Sequence, residues 1–139
     1  MMSVTIEGSK TLERQLREMT RAGQRATVRR AARAGAKAIG EEARRLAPRS
    51  QVPRHPKGHA YKTIRWVEEE SWPDYARFAI GPTGWGWYLY LHEIGTRRFA
   101  AQPFLRPALE SKKQVAVEEA GVVFREAIYT AIRRNRGKK

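Results

Sequence analysis

From residue 10 to residue 47 the chain is built mostly of Arg, Ala, Glu, Gln and Leu, and Pro48 closes the run. These residue types favour helix, and a proline ends one at the residue before it. A straight helix of that length would reach about 57 Å. Its apolar stripe, however, changes face. At about 100° per residue, Leu12, Leu16, Met19, Gly23 and Ala26 fall in one sector, and Val28, Ala32, Gly35, Ile39, Ala43 and Leu46 in the opposite one. One face cannot bury both sets. Either the helix breaks near Gly23 or its halves pack on different partners, and a second subunit would be such a partner. Ala31, Ala34, Ala36, Ala38 and Gly40 leave little side chain in the way of another helix.

The remaining segments are shorter. Val4 to Gly8 reads as a strand, and Ser9 as the N-cap of the helix that follows. Pro48 to Lys62 holds Pro53, Pro56 and Gly58 and reads as a mobile loop. Thr63 to Glu70 reads as a strand with Ile64 and Trp66 on one face, and Ser71 to Asp74 as a turn. Tyr75 to Ile80 is the return strand, with Ala76, Phe78 and Ile80 facing one way. Trp87, Tyr90, Leu91 and Ile94 have helical spacing, and Gly95 ends that helix. A last helix opens between Pro103 and Pro107, with Leu105, Leu109, Ala116, Ala120, Phe124, Ala127 and Ala131 as its stripe. The expectation is one α+β domain over residues 1–134: a long N-terminal helix, a small antiparallel β-sheet, a short aromatic helix and a long C-terminal helix. Residues 135–139 form a basic disordered tail.

Charge narrows the function. The formal net charge is +14 over 139 residues, and it is segregated. Residues 10–48 carry a net +7, residues 49–65 a net +5 and residues 125–139 a net +5, whereas residues 66–124 carry −2. Basic arms around a nearly neutral, aromatic middle point to a polyanion partner, chiefly nucleic acid. Arg49, Arg54, Lys57, Lys62, Arg133, Arg134 and Arg136 are the candidates to lie near DNA.

Catalytic chemistry finds little support. With no cysteine there is no disulfide framework, thiolate zinc site, iron–sulfur cluster or cysteine nucleophile. His55 and His59 have Pro56 and Gly58 between them and cannot share a helix face. His92-Glu93 is half of a zinc-protease motif, and Thr96 stands where the second histidine belongs. Neither GxSxG nor a Walker or GxGxxG loop is present. Glu68, Glu69 and Glu70 alternate faces along a strand and make no carboxylate pair. A small ribonuclease toxin built on Arg, His and Tyr leaves no motif to test; His59 and His92 are the residues it would use. The expectation is a non-enzyme with no metal and no cofactor. No apolar run approaches the roughly 18 residues of a membrane helix, and MMSVTIEGSK lacks an apolar signal region.

Two stretches carry a family resemblance. Tyr88-Leu89-Tyr90-Leu91-His92-Glu93-Ile94-Gly95-Thr96 is followed by Ala101-Gln102-Pro103-Phe104-Leu105-Arg106-Pro107-Ala108-Leu109. Before them stand an Ala/Arg helix ending in Arg44-Arg45-Leu46-Ala47-Pro48, a loop, a strand and Ala79-Ile80-Gly81-Pro82. The order, with E-x-G-T and P-F-L-R-P-A at this spacing, resembles the tail-completion (neck) proteins of HK97-type tailed phages. One departure is Lys57 to Ile64, standing where that family usually has a Thr-Gly-x-Leu-like segment. The resemblance implies a structural virion protein at the head–tail junction, made in the host cytoplasm. It also implies a homo-oligomeric ring around the DNA channel that contacts connector, tail-terminator or tube proteins and touches genome DNA without reading its sequence. Val28, Ala32, Gly35, Ile39, Trp87, Tyr90, Leu91, Phe104 and Leu105 are the interface candidates. The alternative is a small basic protein that binds nucleic acid without sequence preference.

Overall fold

A computed structural model describes residues 2–5, 14, 17, 19–52 and 55–136. The long helical run is interrupted. Arg14 and Arg17 are helical, Met19 bends, and Thr20 is extended at φ −63° and ψ 150°. Helix α1 then spans Arg21–Leu46. Thr20 Oγ1 accepts the Gly23 N–H at 3.2 Å, the N-cap bond that satisfies one orphan donor of the first turn. Gln24 Nε2 donates to the Met19 carbonyl at 3.1 Å, tying α1 to the chain before the break. The change of stripe is therefore resolved by a break just before Gly23, not by a continuous helix with two partners. Ser9, Leu12 and Leu16 lie outside the described residues. Ala47 takes the extended conformation (φ −59°, ψ 141°) that a following proline imposes, and α1 ends there.

Three strands form an antiparallel sheet in the order β1-β3-β2: β1 Met2–Thr5, β2 Ile64–Trp72 and β3 Tyr75–Pro82. Strand β1 begins earlier than Val4, and Ile6, Glu7 and Gly8 lie outside the described residues. The β2–β3 hairpin is longer than expected: Trp72 pairs with Tyr75, leaving Pro73-Asp74 as the loop. Ile64, Ala76, Phe78 and Ile80 are buried on the face toward α1. The register slips between Glu68 and Glu70, a bulge that breaks the simple alternation expected for the three glutamates. Glu68 pairs with Arg29 of α1 at 2.5 Å, and Glu69 with Arg77 of β3 at 2.9 Å.

After β3 the chain passes through a 3₁₀ turn at Gly84–Gly86, helix α2 at Leu89–Ile94 and helix α3 at Leu105–Arg136. Helix α3 thus continues through Asn135 and Arg136, where the sequence points to the start of a disordered tail; residues 137–139 lie outside the described residues. Helix α1 lies between the sheet and α3 and contacts both. Gly35 meets the Ala116 backbone and Glu42 lies near Lys112, so α3 runs back along α1 in the opposite sense. Small residues set both spacings. A Cβ on Gly35 would stand 2.9 Å from the Ala116 carbonyl oxygen, and one on Gly40 would stand 2.4 Å from Cε3 of Trp66. The close approach expected of a second subunit is made by α3 of the same chain. Ile39, Phe104 and Ile128 are fully buried in this layer, each contributing about 1.5–3 kcal/mol of hydrophobic stabilisation.

Candidate interaction surfaces

The E-x-G-T and P-F-L-R-P blocks form one joint. Glu93 Oε2 accepts the N–H groups of Phe104 at 2.6 Å and Leu105 at 2.9 Å, and Oε1 accepts that of Arg106 at 3.2 Å. A carboxylate here satisfies three donors at the start of α3 and faces the positive end of its dipole. Gly95, at φ +76°, lets the chain turn back; a Cβ there would sit 2.8 Å from the Ala101 nitrogen. Thr96 N–H donates to the Phe99 carbonyl at 3.0 Å, and Gln102 N–H to that of His92 at 2.7 Å. The cap is invisible in the sequence, because the partners of Glu93 lie 11 to 13 residues away and nothing local marks them.

Six of the nine interface candidates are used inside the chain. Val28, Ala32, Gly35 and Ile39 face α3 and the sheet, while Phe104 and Leu105 plug the joint, all of them buried. Tyr90 and Leu91 are half-buried. Trp87 alone of the nine is open, with 62% of its surface accessible. The i, i+3, i+4, i+7 spacing placed α2 correctly but misassigned its inner face: Leu89 is buried, and Ile94 is 73% exposed.

Unassigned apolar surface stands on α3. Val115, Val122 and Tyr129 are exposed, and their seven-residue spacing keeps them in one stripe. Glu118, Glu119 and Glu126 lie exposed among them. Helix α3 packs chiefly on α1 and makes no comparable contact with the sheet. Helix α1, in turn, exposes Arg30, Arg33 and Lys37 on its outer face. The chain therefore carries a partly apolar stripe bordered by three glutamates and Arg125, and a separate, mostly basic one in which Lys37 pairs with Glu41 at 3.8 Å. These residues were visible in the sequence, but which face of α3 stays open depends on what α1 covers.

The basic candidates split in the same way. Arg49, Lys57, Lys62, Arg133 and Arg134 are exposed. Arg49 lies over the Tyr61 ring at 4.4 Å. Arg54 lies outside the described residues, and the Arg136 backbone belongs to the last turn of α3. Arg25, Arg29 and Arg44 are engaged elsewhere. Arg44 Nε donates to the Ile64 carbonyl at 2.8 Å with its guanidinium 4.8 Å over Trp66, and Arg25 Nε donates to the Ser71 hydroxyl at 2.9 Å. Beside that bond, the Ser71 hydroxyl and then Arg29 hold the Glu68 carboxyl below the usual carboxylate range.

His55 stacks on Trp85 at 4.3 Å, His59 on Tyr61 at 5.7 Å, and His92 lies against Phe99 at 5.0 Å. Among the described residues no three His, Cys, Asp or Glu side chains converge as metal ligands, and no helix is long and apolar enough to cross a membrane. No family model, curated protein or solved structure matches the chain.

Proposed function

We propose that the protein is a structural subunit of a tailed-phage or prophage-derived particle, a tail-completion or neck component that joins copies of itself into a ring around the DNA channel. The observation that carries this reading is the pair of unlike stripes on one subunit. The Val115–Val122–Tyr129 stripe with its glutamates complements the Arg30–Arg33–Lys37 face in charge. Two different complementary patches make a heterologous contact, and such contacts generate rings when the rotation closes. The resemblance of the Glu93 joint to the neck family supports the same conclusion. The exposed arginines and lysines suit a surface beside DNA that contacts phosphates without reading bases.

Native mass spectrometry of the chain with the adjoining tail and connector proteins tests the proposal. The expected result is a closed homo-oligomer in at least one mixture; a strict monomer in all of them overturns it. The net charge of +14 favours a second reading, a free nucleic-acid-binding protein. Such a protein binds duplex as a monomer, with affinity falling steeply as salt rises.

A further inference from the structure

Among the described residues, two buried side-chain polar atoms lack a hydrogen-bond partner, Nδ1 of His59 and Nδ1 of His92. Both rings line one cavity of about 250 Å³. Buried polar atoms without partners are costly and few in native proteins. Both atoms belong to residues of the same cavity wall, which marks that cavity as a candidate ligand site.

The rest of the wall says which kind. Arg49, Ser50, Tyr88 and Gln102 line the same space with Pro48, Ala60 and Leu89, and no carboxylate does; Arg49 also reaches the Arg44 carbonyl and Ser50 the Val52 carbonyl. The nearest in sequence, Glu93, is taken up by the three N–H groups at the start of α3. The cationic and imidazole groups are held in place. Arg49 and His59 both rest on the Tyr61 ring, and His92 is braced by Phe99 with its carbonyl tied to Gln102. A permanent guanidinium repels a cation, and an apolar guest would leave the polar wall unpaired. An anion with several acceptor oxygens fits both requirements, and Arg recognises phosphate geometry well. The volume falls just under the roughly 300–1,000 Å³ of drug-sized ligand pockets, so the guest is a single group rather than a whole nucleotide.

We propose that this cavity binds one phosphate group, with Arg49 supplying the charge and His59 and His92 the hydrogen bonds. The group comes either from a free phosphate or from a nucleic-acid backbone. The site does not depend on ring assembly, so it stands or falls apart from that reading.

Imidazole ¹H–¹⁵N spectra of the labelled full chain, titrated at constant ionic strength, supply the test. Inorganic phosphate should shift both rings saturably, and chloride should not. Arg49→Gln should weaken phosphate about tenfold, as expected for one charge-assisted contact. Arg49→Lys should retain most of the affinity, and Lys113→Gln, the same charge loss at an exposed site on α3, all of it. His59→Gln and His92→Gln should each weaken binding without changing the far-UV spectrum. Competition by single-stranded oligothymidylate identifies the backbone as the source, and indifference to it identifies free phosphate. Absence of a saturable shift, equal shifts with chloride, or equal losses in Arg49→Gln and Lys113→Gln would overturn the site.

Discussion

Glu93 shows how one side chain can do the work of a motif. Replacing it with Ala strips the Phe104, Leu105 and Arg106 N–H groups of their acceptor. An N-cap loss costs about 0.5–2 kcal/mol and buried unpaired donors add to it, so Glu93→Ala should lower stability by about 2 kcal/mol in urea unfolding. Glycines give a paired comparison. At Gly40 an Ala Cβ would press on the Trp66 ring at 2.4 Å, whereas at Gly121 it would meet nothing closer than Arg125 Nη2 at 3.9 Å. Ala gains about 1 kcal/mol over Gly in a helix interior. Gly121→Ala should therefore stabilise by nearly that amount, and Gly40→Ala should destabilise by about 1–2 kcal/mol because overpacking outweighs the gain. Thermal unfolding of the two variants side by side checks both signs. Glu68 adds a pH dependence. Its carboxyl is held low by Ser71 and Arg29. Its contribution is therefore complete above the ordinary carboxylate value of about 4.3 and fades as pH falls through the lowered folded value. Because Arg29 is largely exposed, screening keeps the effect under about 1 kcal/mol. Glu68→Gln should melt a few degrees below the parent at pH 7 and level with it near pH 2.

At the scale of elements, the sequence was most legible where one period dominated. Alternation in Ala76, Phe78 and Ile80 marks the inner face of β3, and the spacing of Leu105, Ala116, Ala120 and Phe124 marks most of the inner face of α3, although Leu109, Ala127 and Ala131 of the same stripe are half-buried and Ala108 and Ile128 are the buried residues it leaves out. It was least legible where tertiary contacts chose among local options. Helix α2 has six residues, too few for a stripe to average out, and Leu89 faces inward in place of Trp87 and Ile94. The bulge at Glu69 and the break at Thr20 are single-residue events that leave both flanking patterns intact. The E-x-G-T and P-F-L-R-P blocks stand out in the sequence, but the Glu93 cap that joins them needed the fold. Helix α3 carries the element-scale prediction. Val122→Glu puts a charge in the middle of its open stripe, at a position 46% exposed in the monomer. Helical content and melting temperature should stay near the parent values. The oligomer expected in native mass spectrometry should be lost, because in the proposed ring the new carboxylate has to be buried against the neighbouring copy. A charge reversal tests the other side of the same contact. Lys37→Glu should dissociate the oligomer too, and combining it with Glu126→Lys should restore part of the assembly if the two stripes meet.

For the whole molecule, the question is where the positive charge goes when copies meet. In the proposed ring the Arg30–Arg33–Lys37 face would be consumed in a head-to-tail contact, whereas Arg49, Lys57, Lys62, Arg133 and Arg134, exposed in the single chain, would stay open on each copy. Closing a ring multiplies those charges around one axis without adding any to the subunit. Counterion release scales with the number of phosphates engaged, at about 0.9 per phosphate on duplex DNA. The assembled form should therefore show a salt slope several times steeper than the dissociated Val122→Glu variant at equal subunit concentration. Fluorescence anisotropy of a labelled duplex, read from 50 to 300 mM salt, measures both slopes. Equal slopes for ring and monomer would place DNA on each subunit separately, and the basic segments would then belong to a free nucleic-acid binder. Mixed-sequence and A·T-rich duplexes should titrate alike, because contacts made to phosphates alone carry no base information. A preference between them would require side chains reaching into a groove, which a ring that merely surrounds the duplex does not demand.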